Sequence, residues 1–387
     1  MSGERLPVVA VVSDAIHPYH RGGKEVRYRE VVKRLRDSGF EVHVHTMKWW
    51  DGPRDMVDED VRYHALCRLH PLYKGERRSI VQAVAFSIAC LGLLRERFDV
   101  IEADHMPHLP LFALRVVATL KRRPLVVTWH EVWGREGWTT YLGRAGLVAW
   151  QIERAAMRMP DRIVAVGDAT AERLVDAGVR PDRVEVLANG VDLAAIEAAP
   201  VAPDPVGILF VGRLIEHKRV DQLLGAVALL NERGIDVNCT IVGDGPERDR
   251  LRMTARSLGV EDRTRFLGIV DDDADVFGMM KRCDVFVSPS VREGFGLSLV
   301  EALAAGAAVV TSDHPDNLGN RLVEDGVTGV VCPPTAAALA DGIARCLRTP
   351  TRRPDAVAAL VERHDWDRVS AGLGTLYRQV HRRRSCA

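Results

Sequence analysis

Short apolar runs alternate with longer amphipathic segments along the chain. Residues 8–12, 41–45, 100–103, 125–128 and 163–166 are brief and rich in Val and Ile, as buried strands are. Between them, residues 25–38, 79–97, 109–120 and 145–159 carry helical patterns. Such alternation predicts a parallel sheet with helices on both faces. The pattern breaks over 192–205, where Pro200, Pro203 and Pro205 interrupt it, and this stretch reads as a linker. A second alternation follows, with strands at 207–211, 237–242, 265–267, 285–288 and 308–311. Its helices fall at 220–233, 247–258, 273–282 and 297–305. The expectation is an α/β chain of two doubly wound, Rossmann-like domains, 1–200 and 201–365, and a final helix in 366–387. A length of 387 residues suits two domains of roughly 100–200 residues.

In open α/β sheets, ligands bind beyond the carboxyl ends of the strands, so the informative residues should follow strands. Arg21-Gly22-Gly23-Lys24-Glu25 follows the first strand and leads into a helix. Two glycines allow close backbone approach and the helix N-terminus offers N–H groups to an anion; alternatively they make only a tight turn. No Walker loop occurs, and Gly243-Asp244-Gly245 lacks the third glycine of a dinucleotide fingerprint. Arg213 and Lys218 flank a strand-to-helix turn, five positions apart. Converging, they would suit a diphosphate and stabilise it as a leaving group; standing alone, they read as surface charges. The most informative stretch runs from Ser288 to Ala302. There Gly294, Phe295 and Gly296 lead into a helix near Leu297, with Glu293 on the loop and Glu301 on the helix. Two carboxylates beside an anion site repel phosphate, but they accept hydrogen bonds from sugar and ribose hydroxyls.

Composition narrows the class. Lys+Arg and Asp+Glu balance at 53 each, leaving no net field to favour nucleic acid. Seven scattered cysteines without a C-x-x-C pair suggest neither a disulfide framework nor a zinc site, which fits a reducing cytoplasm. The longest apolar stretch, 80–94, is short of the ~20 residues of a membrane span and reads as a buried helix. Membrane contact is therefore expected to be peripheral at most, and the modest aromatic content with no clear basic amphipathic helix favours a soluble acceptor. The oligomeric state is not encoded in any pattern of the chain.

Taken together, these motifs resemble the family 4 retaining glycosyltransferases of the GT-B fold. The resemblance rests on Gly22-Gly23-x-Glu25, Val211-Gly212-Arg213-Leu214 with Lys218, and Val242-Gly243-Asp244-Gly245-Pro246. It continues through Phe266-Leu267-Gly268, Glu293-x7-Glu301 and Glu324-Asp325-Gly326-x-Thr328-Gly329. It implies two domains facing each other across a cleft, a nucleoside diphosphate sugar as donor, and neither metal nor cofactor. It also implies that Arg213 and Lys218 hold the diphosphate, helped by backbone at Gly23 and Phe295–Leu297. Glu293 would bind the donor sugar, Glu301 the ribose, and Leu267, Gly268 and Ile269 the base. His130 would reach the donor sugar, and the final helix would cross back onto the first domain. Lys24, Asp104, His105 and Glu131 are acceptor-side candidates for a small molecule or glycan; Trp49-Trp50 and Trp133–Trp138 could line that side or only pack its loops. One departure stands out: Asp313-His314-Pro315-Asp316-Asn317-Leu318-Gly319-Asn320 replaces the Gly-Gly-x-Pro-Glu turn common in relatives. An epimerase on the same fold and a non-catalytic sugar-nucleotide-binding subunit are the rival readings.

Overall fold

The computed structural model describes residues 5–74, 77–348 and 354–385. Contacts divide the chain into two units: unit 1, residues 1–189 with 366–387, and unit 2, residues 190–365. In unit 1 the strands are β1 (Val9–Val12), β2 (Val42–Lys48), β3 (Asp55–Asp58) and β4 (Val61–Arg68). They are followed by the short hairpin β5 (Tyr73–Lys74) and β6 (Arg77–Arg78), then β7 (Val100–Asp104), β8 (Leu125–Trp129), β9 (Arg162–Ala165) and β10 (Val184–Val186). The main sheet runs β10-β9-β8-β7-β1-β2-β4-β3, parallel throughout except for the antiparallel β3–β4 edge. Every residue of β1 is buried, as a central parallel strand covered on both faces requires.

Unit 2 is built the same way, from β11 (Ile208–Val211), β12 (Cys239–Val242), β13 (Thr264–Gly268), β14 (Val285–Ser288), β15 (Ala308–Ser312) and β16 (Val330–Cys332). Their order is β13-β12-β11-β14-β15-β16, all parallel. The order reverses beside β11, between β12 and β14, and the loops leaving β11 and β14 carry Arg213, Lys218 and Glu293. A crevice beyond such a switch point is where doubly wound sheets bind ligands.

Three expectations change. The division falls at Asn189/Gly190 rather than at residue 200, because the supposed linker is part of unit 2. It contains the helix Leu193–Ala198, capped by Asp192, and Lys281 Nζ donates to Glu197 O and Ala199 O at 2.9 and 2.6 Å. The helix Ile80–Cys90 is not buried: its outer face is open, with Ile80 and Val81 about three-quarters exposed. The strands β3 and β4 also escape the apolar pattern, since β3 is mostly exposed at the sheet edge. The final helix, Trp366–Ser385, belongs to unit 1 and packs on the helix Gly23–Asp37. Small residues permit the approach: a Cβ on Gly374 would lie 3.1 Å from the Phe40 ring, and one on Gly372 would lie 2.6 Å from Leu187.

The Gly-Asp-Gly-Pro stretch after β12 is a packing device. A Cβ on Gly243 would sit 2.0 Å from Gly212 O, and one on Gly245 would sit 2.2 Å from Leu214 O. Gly212 N donates to Val242 O at 3.0 Å and Leu214 N donates to Asp244 O at 2.9 Å. Backbone therefore lies directly on backbone, and this fixes the loop that carries Arg213. Replacing Gly243, whose φ is +126°, with Ala forces these strands apart. Thermal and denaturant unfolding of Gly243→Ala should show a loss of about 1–3 kcal/mol.

Candidate functional site

In unit 2, Lys218 and Glu293 meet on the loops that leave the carboxyl ends of β11 and β14. A tight 3-10 turn, Glu216–Lys218, places Lys218 Nζ 2.6 Å from Glu293 Oε2, with both side chains about 15% exposed. Val291 N donates to His217 O at 2.9 Å, joining the β11 and β14 loops through their backbones as well. Burial first, and then the positive charges of Lys218, Arg292 and Arg213, push the His217 imidazole down to about 4. The charges of all three cations therefore act on His217, which stays neutral among them. Arg213 itself is exposed.

The unusual turn after β15 holds Glu293 from the other side. Glu293 N donates to Asp316 O and Leu318 N donates to Glu293 O, each at 2.9 Å. Asn317, buried, anchors this turn: its amide donates to Ser312 O at 2.9 Å, Ser312 Oγ at 3.1 Å and Thr311 Oγ1 at 3.2 Å. Leu318–Leu322 then forms a 3-10 turn. Gly319 fits because a side chain there would meet Phe295 O at 3.0 Å. Gly294 and Phe295 lead to Gly296, at φ +94°, which starts the helix Leu297–Ala304. The helix's first N–H groups have no intrahelical partners and attract an anion. Glu301 lies half-buried on that helix. At the end of β13, Gly268 turns the chain at φ +75°, leaving Leu267 and Ile269 exposed at 38% and 62%. The stretch from Glu324 to Gly329 is a turn: Glu324 N donates to Thr328 Oγ1 at 2.9 Å.

Unit 1 has a second polar cluster, also beyond strand ends. Lys24 Nζ lies 2.6 Å from Asp104 Oδ2 and 2.7 Å from Asp14 Oδ1, and donates to Met106 O at 3.1 Å. Burial pulls the ammonium pKa down, but Asp104, Asp14 and Glu25 outweigh it and raise it. Asp104 is correspondingly held well below the carboxylate range: Lys24 and His105 overcome the opposing effect of burial. Asp14 also takes Arg78, at 3.1 Å, and the amide of Gln82, at 3.1 Å. Gly22 leaves room for Glu25, whose Oε2 would lie 2.6 Å from a Cβ there, and Gly23 is exposed at the helix start. His105 Nδ1 is 3.1 Å from Asp104 Oδ1, and His130 Nε2 is 3.9 Å from the same oxygen. Glu131 follows on the same loop, half-buried. Of the tryptophans, Trp49 Nε1 donates to Asp14 O at 3.1 Å, whereas Trp133, Trp138 and Tyr141 pack on one another.

Two models of known families match the chain: Glycosyltransferase Family 4 over residues 21–195, and Glycosyl transferases group 1 over residues 195–362. A phosphatidyl-myo-inositol mannosyltransferase of Mycobacterium leprae is 35% identical over 295 residues, covering 73% of this chain and 74% of that one. The chain is a family 4 glycosyltransferase of the GT-B type. A glycogen synthase of Mycobacterium tuberculosis is 30% identical over 264 residues, 66% of this chain and 63% of its own. Among solved structures, a sucrose-phosphate synthase from Thermosynechococcus elongatus aligns with a TM-score of 0.78 at 21% identity, covering 96% and 98% of the two chains. Anabaena Alr3699/HepE, in complex with UDP and glucose, aligns with a TM-score of 0.73 at 22% identity, covering 96% and 100%.

In this glycosyltransferase the structure brings Lys218 and Glu293 into contact and sets Arg213 near enough to act on the neighbouring His217. It adds His217, Arg292 and Asn317 in unit 2, and Asp14, Arg78 and Gln82 in unit 1. Asp14 follows the first strand and was open to the same strand-end argument that found Lys24. Arg78 and Gln82 carried no such signal.

Burial holds the His130 imidazole down at about 3, against the pull of Asp104. An imidazole with so low a value is neutral throughout the physiological range. Nitrogen-edited NMR of the histidine rings should therefore show no titration of His130 between pH 8 and pH 5. A midpoint near the ordinary value of about 6.5 would contradict its placement.

Proposed function

We propose that this glycosyltransferase moves a hexose from a nucleoside diphosphate donor to an acceptor hydroxyl, with retention of configuration and without a metal ion. The observation that carries the reading is the contact of Lys218 with Glu293 next to His217, on which the charges of Lys218, Arg292 and Arg213 act together. Fixed cations there would take up charge on a departing diphosphate, the role a divalent ion has in other transferases. Arg213 offers a planar fork and Lys218 a point charge. Glu293 would accept hydrogen bonds from sugar hydroxyls, and Glu301 from the ribose. The exposed Leu267 and Ile269, with the turn at Gly268, give the base an apolar seat. The mannosyltransferase and glycogen synthase relatives support a hexose as the transferred group.

The reaction breaks the bond between the anomeric carbon and the diphosphate oxygen, whose electron pair stays with the phosphate. The acceptor oxygen bonds to that carbon on the same face, and its proton passes to the departing diphosphate. His130, neutral, would serve as a hydrogen-bonding group rather than a charged one. In unit 1 the acceptor, a small molecule or glycan hydroxyl, would meet the rim of the Asp14–Lys24–Asp104 cluster.

Incubation of the full chain with uridine and guanosine diphosphate hexoses and hydroxyl acceptors tests the reading. A new glycoside with the donor's anomeric configuration is expected. Epimerised free donor, or binding without turnover, would overturn it. Lys218→Ala should lower kcat/KM at least about 100-fold, the scale of losing one preorganised charge at a developing anion, while circular dichroism shows the native fold retained.

A further inference from the structure

The helix Ile80–Cys90 and the 3-10 turn Leu91–Arg95 form one continuous surface segment of unit 1. From residue 80 to residue 94 it contains no charged side chain. Gln82 turns inward and donates to Asp14, and Ser87 Oγ donates to Leu109 O at 3.0 Å. Outward stand Ile80 and Val81, 74% and 73% exposed, then Val84, Ile88, Leu91 and Leu94. Ile80, Val84, Ile88 and Leu91 recur at helical spacing and make one stripe. The neighbouring helix Leu109–Lys121 extends the surface with Val116 and Leu120, the latter 66% exposed. A water-facing helix normally presents its polar side; this one presents its apolar side.

Cations stand at both ends of the stripe. Lys74 and Arg77 are exposed ahead of it, and Arg95 and Arg97 are exposed beyond it. Lys121 Nζ donates to Leu94 O and Glu96 O at 3.0 and 2.6 Å, bringing the exposed Arg122 to the same end. An apolar stripe between cationic ends is complementary to acyl chains beneath anionic headgroups. The stripe offers no charged or amide group to orient a folded partner, and a fluid bilayer requires none.

We propose that this face docks unit 1 onto an anionic phospholipid bilayer. The attachment is peripheral: no helix among the described residues is long and apolar enough to cross a membrane. Gln82 and Arg78 tie the segment to Asp14, so docking would hold the acceptor-side cluster near the headgroups. That last consequence rests on the transfer reading; the docking itself does not, and it is measured without donor.

The test is cosedimentation of the full chain with vesicles of phosphatidylcholine alone and of phosphatidylcholine with phosphatidylglycerol. The wild type should bind the anionic vesicles and be released by added salt. Ile80→Gln/Val84→Gln/Ile88→Gln should weaken binding at least about tenfold, and Arg95→Gln/Arg97→Gln should remove much of the preference for anionic lipid. All five positions are exposed, and circular dichroism checks that the variants keep the native helix content; single Ile88→Gln is the milder replacement. Absence of wild-type binding, or unchanged binding by the folded variants, would overturn the proposal. So would a dimer in solution that the triple variant dissociates without loss of vesicle binding, which would assign the face to a second copy of the chain.

Discussion

The ion pair between Lys218 and Glu293 is the interaction around which the candidate donor site is arranged. At 2.6 Å and mostly shielded from water, it joins loops leaving two adjacent strands, β11 and β14. Each loop is fixed independently by backbone. Gly212 and Leu214 lie against Gly243 and Gly245, while Glu293 is gripped by the Asn317 turn through two main-chain hydrogen bonds. The ammonium and carboxylate are thus positioned by rigid elements, as preorganised electrostatics requires. The pair keeps both charges satisfied, and on the proposed reading a diphosphate would compete with Glu293 for Lys218.

Unit 1 applies the same rule with a different balance. Lys24 sits among Asp14, Asp104 and Glu25, and these groups largely satisfy one another. A second buried network ties the final helix to the sheet. Glu102, on β7, receives Thr128 Oγ1 at 2.5 Å and lies near Tyr28, Tyr377 and Arg27. Burial outweighs these partners and raises its carboxyl to about 7. Arg27 reaches Leu187 O, Ala188 O and Asn189 Oδ1 at 3.1, 2.9 and 2.9 Å, which closes unit 1 at its last residues before unit 2 begins.

Most of the parallel framework was legible because buried parallel strands are continuous apolar runs. Residues 273–282 and 285–288 were bounded as the structure has them, most other expected elements shifted by one to three residues at an end, and the helices Asp168–Asp176 and Ala336–Arg348 were not anticipated. The exposed edge strand β3 left no such run. Hydrophobicity alone misplaced residues 80–94, since an apolar helix can face a core or another apolar phase with the same sequence. The strand-end placement of Arg213, Lys218 and Glu293 was legible because these residues follow strands in short motifs. The Asp14–Arg78–Gln82 contacts were not, because three separate elements bring them together. The Asn317 turn was visible as a departure, but its grip on Glu293 follows only from the main chain of both loops.

Calorimetric titration of uridine and guanosine diphosphates, and of the corresponding diphosphate hexoses, against Lys218→Ala and Glu293→Gln tests the central pair most directly. Lys218→Ala should weaken the nucleoside diphosphate and the nucleotide sugar alike. Glu293→Gln should leave the diphosphate bound as well as before, or better, while weakening the nucleotide sugar. Wild-type affinity for every ligand in both folded variants would contradict a donor site built on this pair.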